Sequence, residues 1–192
     1  MRRTAAAITM ALGTFLIVSG CASSFLKTHP VAIAGATISD SAGRTIGTAR
    51  LWQEAAGLVH VDVDVTCTGV SCTPLAPGDH GIHFHSVGSC VSASSPVFSS
   101  AGGHFNPLGK QHGLSNPAGP HAGDAPNLVI ASDGRGHASF TTDRISLTTG
   151  ATDVFDADGT AVVIHAGPDD QTSQPAGNSG ARVACGVLKT VQ

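Results

Sequence analysis

The clearest periodicity in the chain is GLVHVDVDVT, residues 57–66, where Val59, Val61, Val63 and Val65 alternate with His60, Asp62 and Asp64. Residues two apart on a strand share a face, so the pattern predicts a half-buried strand with four valines turned inward. VAIAGATISD (31–40) and RTIGTARLWQ (44–53) read as two further strands around a Ser-Ala-Gly turn. HGIHFHSV (80–87) is a fourth, and 127–143 reads as a hairpin turning at Asp133-Gly134. AVVIHAG (161–167) and ARVACGVLK (181–189) close a set of about eight strands. Between them lie two long irregular stretches, 88–126 and 168–180, rich in Gly, Pro, Ser and Asn. Loops of that length in a compact domain are usually functional or disordered. No stretch repeats helical spacing, and no internal repeat or second domain is apparent. The expectation is an antiparallel sandwich or barrel.

The start of the chain does not belong to that pattern. Residues 1–20 carry Arg2 and Arg3, then an apolar run and small residues, the layout of a secretory signal. The ending VSGC resembles the bacterial lipobox, which makes Cys21 the expected lipidated N-terminus and residues 21–30 a tether. The domain is then expected over 31–192 in an exported protein of the periplasm or cell envelope, meeting the membrane through its lipid anchor only. The formal net charge is −3, and two of the arginines lie in the signal, so the remainder is more acidic still. With no basic run, nucleic acid is not an expected partner. Twenty-four glycines in 192 residues suit many turns and short strands.

Export permits disulfides. Besides Cys21 there are Cys67, Cys72, Cys90 and Cys185, which allow three pairings; Cys67 and Cys72 are close enough to staple a local loop.

The ten histidines are unevenly placed. His83 and His85 sit two apart, on one face of an otherwise apolar strand. The first long loop holds His104, His112 and His121, with Asp124 three residues on, and His165 ends a later apolar strand. A lone strand histidine is ordinarily structural; six with an aspartate, at loop and strand-end positions, point to a metal site. Imidazole suits copper and zinc. His29, His60 and His137 have no such context and are expected to be solvated.

GIHFHSVGSC, AGGHFNPLGKQHG, HAGD, VVIHAGPDD and GARVACGV, in this order, resemble the bacterial copper–zinc superoxide dismutases from about residue 31 to 189. The resemblance implies an all-β fold, an eight-stranded antiparallel Greek-key sandwich or barrel, immunoglobulin-like, with two long functional loops. It implies copper on His83, His85, His104 and His165, and zinc on His104, His112, His121 and Asp124, with His104 bridging the two. It gives Asp169 the role of hydrogen-bonding one copper and one zinc histidine, and His80 a structural role against neighbouring backbone. It joins Cys90 to Cys185 and makes Arg182 the residue that positions superoxide. The implied activity is dismutation of superoxide, with copper as the redox metal and zinc fixing the bridge. The stretch 166–181 has no lysine or arginine before Arg182, so further guidance falls to residues elsewhere, such as Lys110. A metal-binding protein without turnover is the competing reading, and the presence of all seven ligand positions with Arg182 argues against it. Whether the chain forms a homodimer is open from sequence.

Overall fold

The structure is a computed structural model that describes residues 30–67 and 75–191. The lipidation and signal assignments, His29 and Cys72 lie outside the described residues. Ten strands are present among the described residues: β1 Ala32–Asp40, β2 Thr45–Gln53, β3 Val59–Thr66, β4 Gly78–His80, β5 Ile82–His85, β6 Leu128–Ile130, β7 Arg135–Thr142, β8 Ala161–His165, β9 Arg182–Val187 and β10 Lys189–Thr190. All pairings between them are antiparallel. The order is β4-β6-β7-β3-β2-β1-β9-β8-β5, with β10 beside β1. Consecutive β3 and β4 are not neighbours, because β7 returns to pair with β3, which is the crossing of a Greek key.

β3 behaves as its alternation predicts: Val59, Val61, Val63 and Val65 are all buried. Full burial of such a side chain stabilises by about 1.5–3 kcal/mol relative to exposure. These valines join Ile38, Leu51, Ile82, Phe84, Leu128, Val162 and Ile164 in the interior. The turn at Asp133-Gly134 forms as expected: Gly134 takes φ +79°, and the Ala131 N–H donates to the Arg135 carbonyl.

The structure revises the strand count. The expected single strand at 80–87 is two, interrupted at Gly81. β4 pairs with β6 and β5 with β8, so one continuous segment spans the two ends of the sheet and nearly closes the barrel. At the break, the Gly81 N–H donates to the Gly167 carbonyl, and the His165 N–H donates to the Gly81 carbonyl. A side chain at Gly81 would stand 2.9 Å from the Ser179 Cβ and 3.3 Å from both the Asp169 Cβ and the His83 Cε1. Only glycine admits the 166–181 segment so closely. The last expected strand likewise divides, into β9 and β10.

Residues 143–160 form a third irregular stretch that the pattern does not announce. It buries Ile145, Leu147 and Val154 against the main core. A small second cluster, Phe98, Ala101, Ala161, Val163 and Cys185, lies on the opposite face of β8. It packs the loop after β5 onto β8 and β9. The Cys90–Cys185 disulfide ties that loop down across 95 residues of sequence. Cys67 is disulfide-bonded as well.

Candidate metal centre

β5 is buried on both faces, and its register with β8 sets which side chain goes where. Ile82 and Phe84 enter the core, whereas His83 and His85 take the other face, opposite Val163 and Ala161. His165, at the end of β8, arrives on the same side. His104 comes from the first long loop and bridges in antiparallel fashion to His85, as Asp124 does to His83. His83, His85, His104 and His165 thus offer nitrogens that all lie within 4.8 Å of one another.

The hydrogen bonds of these rings decide which atoms are free. His85 Nδ1 lies 3.0 Å from the Gly102 carbonyl and His165 Nδ1 lies 3.1 Å from the Gly180 carbonyl. A carbonyl only accepts, so both rings carry their proton on Nδ1 and turn a bare Nε2 inward. His83 is held by the other nitrogen, Nε2 at 2.7 Å from Asp169 Oδ2, which leaves Nδ1. His104 Nδ1 is 2.9 Å from Asp124 Oδ1, which leaves Nε2. His83 Nδ1, His85 Nε2, His104 Nε2 and His165 Nε2 are four of the six buried side-chain polar atoms without a partner among the described residues. An orphaned buried polar atom costs about 1–3 kcal/mol. Four converging imidazole nitrogens, each ring fixed from its far side, form the donor set of a nitrogen-ligated transition metal.

A second set shares His104. Asp124 Oδ1 lies 2.9 Å from His104 Nδ1, 3.0 Å from His112 Nδ1 and 3.3 Å from His121 Nδ1. Three imidazoles and one carboxylate suit zinc. His83 also comes within 4.8 Å of His104, His112 and Asp124. Its Nε2 is taken by Asp169, however, while His121 Nδ1 faces both His104 and Asp124. His121 is therefore the better fourth member. Asp124 Oδ2 accepts from the N–H groups of Gly113 and His121, which fixes the carboxylate.

Asp169 joins the two sets: Oδ2 meets His83 Nε2, and Oδ1 lies 3.1 Å from His112 Nε2. Burial would raise both carboxyls, but the hydrogen bonds from the histidines outweigh it and hold Asp124 and Asp169 well below the usual range. Burial pulls His83 down to about 4 and His165 to about 3, and depresses His85 strongly. His112 is also pulled down by burial, yet Asp124 and Asp169 lift it to about 9. His83, His85 and His165 are therefore neutral and ready to bind metal at neutral pH, while His112 carries a proton that metal must displace.

Arg182 opens β9 beside the first set. Its Nη1 donates to the Phe98 carbonyl at 2.7 Å and its Nη2 to the Gly102 carbonyl at 2.6 Å. Phe98 takes φ +57°, an uncommon conformation for a bulky residue, and its ring is buried under the disulfide loop. His80 lies apart from the metal-facing atoms; its two ring nitrogens meet the carbonyls of His165 and Ala76, the structural role the resemblance implies. His60 is not merely solvated: it stacks on Trp52 at 4.8 Å and lies 2.7 Å from Glu54. His137 is exposed and pairs with Asp64.

Sequence reasoning missed three carboxamides that tie the two long loops together: Asn127, Gln171 and Gln174. No spacing rule marks a loop amide whose partner is backbone far away in sequence.

A nearly closed antiparallel barrel that buries two histidine-rich donor sets with one ring in common defines a metalloprotein built for two ions. Comparison with known proteins places it further. Residues 45–188 match the copper/zinc superoxide dismutase family. Copper–zinc superoxide dismutase 2 of Aquifex aeolicus is 39% identical over 178 residues, covering 92% of this chain and 95% of that protein. The copper–zinc superoxide dismutase of Caulobacter vibrioides is 45% identical over 118 residues, covering 60% and 66%. Among solved structures, a superoxide dismutase-like protein from Bacillus subtilis superposes with a TM-score of 0.72 at 36% identity, covering 81% of this chain and 97% of that one. The chain belongs to the copper/zinc superoxide dismutase family. It is an oxidoreductase of that class, and copper and zinc are its metals.

Proposed function

We propose that the protein dismutes superoxide with copper on His83 Nδ1 and the Nε2 atoms of His85, His104 and His165, and with zinc on the Nδ1 atoms of His104, His112 and His121 and a carboxylate oxygen of Asp124. The observation that carries the reading is the set of four orphaned, converging nitrogens. His104 belongs to both groups, one nitrogen to each, which supports its reading as the bridge. When bound, copper supplies the one-electron redox chemistry and zinc a fixed positive charge.

The chain's own residues do the rest. One superoxide is oxidised to O₂; a second is reduced and takes two protons to become H₂O₂. Arg182 attracts and orients each anion, its guanidinium aimed by the Phe98 and Gly102 carbonyls. His104 Nε2 holds one of the two protons between half-reactions. Asp169 keeps the His83 ring turned so that Nδ1 faces the site.

The exported, envelope-protecting role completes the reading, with residues 1–20 as signal, a lipid on Cys21, a tether to residue 30 and the enzyme over 31–192. The Cys90–Cys185 disulfide fits an oxidising compartment. Copper and zinc content per chain, measured with dismutation rate on one sample, tests the site. One of each with fast turnover bears it out; both metals bound without turnover would replace it with the metal-binding reading.

A further inference from the structure

His112 is gripped at the ring by Asp124 and Asp169, and its main chain is gripped as well. Gln174 Oε1 accepts the His112 N–H at 2.9 Å, and Gln174 Nε2 donates to the His112 carbonyl at 2.9 Å. The carboxamide thus pairs with both backbone groups of one residue, in the manner of a strand neighbour, across 62 residues of sequence. Gln174 lies on the 166–181 stretch, which carries Asp169 and leads into Arg182; His112 lies on the first long loop. The reverse contact also exists. Asn127, at the end of the first loop, donates from Nδ2 to the Asp169 carbonyl and accepts the Asp169 N–H, both at 2.9 Å. Each loop lends a carboxamide to hold the residue of the other loop that touches the metal-facing rings. Gln171 adds a third tie, with Oε1 accepting from Leu114 and Nε2 donating to Ala125.

We infer that Gln174 is a positioning residue for the zinc group: by fixing the His112 peptide it sets the direction of Nδ1 and couples the 166–181 stretch to zinc occupancy. The inference rests on the ligand assignment proposed above. Asp124 and Asp169 hold the same ring at its two nitrogens, but contacts at the ring alone leave the peptide that carries it free to shift. The peptide clamp removes that freedom. A partner of this kind, acting through a ligand rather than on the ion, typically changes metal affinity 10–100-fold.

The test compares wild type with Gln174→Ala and Gln174→Glu, all as the copper- and zinc-loaded protein. Zinc loss to a coloured chelator should speed about tenfold or more in Gln174→Ala. The visible spectrum with cobalt(II) in place of zinc should change, and a merely structural role would not move that spectrum. Gln174→Glu keeps the acceptor for the His112 N–H and should recover part of the retention. Zinc loss and a cobalt spectrum identical to wild type would overturn the clamp. A wild type that keeps no zinc would overturn the ligand assignment instead, so the two failures are distinguishable. Should Gln174→Ala fail to fold, hydrogen exchange in the wild-type protein decides. The His112 amide should be protected on a par with Val163 in β8; exchange as fast as an exposed loop amide would overturn the inference.

Discussion

Arg182 and His85 share one acceptor: the Gly102 carbonyl receives Arg182 Nη2 at 2.6 Å and His85 Nδ1 at 3.0 Å. The Arg182 guanidinium and a ring of the first donor set are thereby fixed to the same peptide. Replacing Arg182 with Ile removes the local positive charge but leaves the His85 contact in place. We expect copper and zinc content unchanged and kcat/KM lower by about 10–100-fold, with weaker dependence on ionic strength. Stopped-flow dismutation across a salt series checks this; an unchanged rate would remove the guidance role.

Asp169→Asn should act on both donor sets at once. The amide keeps one acceptor, sets an NH2 group against the other ring N–H and carries no charge, so one ring loses its acceptor outright and the other keeps only a weaker, neutral contact. Zinc affinity should fall about 10–100-fold, and the copper spectrum should shift with the His83 ring. Chelator competition followed by absorption spectroscopy reads both; loss at one metal alone would show that the carboxylate serves a single site.

The metal-free protein should be most stable near pH 6.5. Burial lowers His83 to about 4 and His165 to about 3, and His85 falls with them. Below their ordinary value of 6.5 the unfolded chain takes up protons that the folded chain refuses, so stability drops as pH falls. His112 is raised to about 9. Its contribution is complete below 6.5 and is lost as pH rises through about 9. Asp124 and Asp169 are depressed, so their contribution holds above the ordinary carboxylate value and disappears on further acidification. Each one-proton difference is worth about 1.4 kcal/mol per pH unit. Urea midpoints from pH 4 to 9 after chelation measure the curve, and a flat profile would contradict it.

Breaking the Cys90–Cys185 bond should reach the active site through the loop. Phe98 and Gly102, whose carbonyls aim Arg182, lie on the segment that the bond pins to β9. Cys90→Ser should lower stability by about 2–5 kcal/mol. It should also slow turnover while metal content holds. Thermal unfolding and activity on the same metal-loaded sample would separate the two effects; full activity with lowered stability would mean that the carbonyls hold Arg182 unaided.

Much of this was readable beforehand, for local reasons. The valines of β3 announce their face because nothing but burial explains four of them alternating with polar residues. His83 and His85 are legible because period two is incompatible with scattering ligands on a strand. The break at Gly81 is not legible, since its cause is the close approach of Ser179 and Asp169 from a distant loop. Ile145, Leu147 and Val154 show no period, so their burial depends on how 143–160 drapes over the barrel. His60 looked solvated because its partner, Trp52, lies across a strand pair that only the register fixes. Gln174 resembles any loop glutamine until the two long loops meet.

The interruption at Gly81 has a consequence for self-association. β4 and β5 are the two ends of the sheet, yet they are consecutive pieces of one segment, so the barrel hides both of its rims with a single stretch of eight residues, 78–85. That stretch also carries His83 and His85. If it lifts away, β6 and β8 lose their outer partners together, and two rows of unsatisfied backbone groups face solvent at once. Such rows template pairing with another chain. A metal ion held by those two rings would therefore act as a clasp on the seam, guarding against oligomer growth as well as serving the reaction.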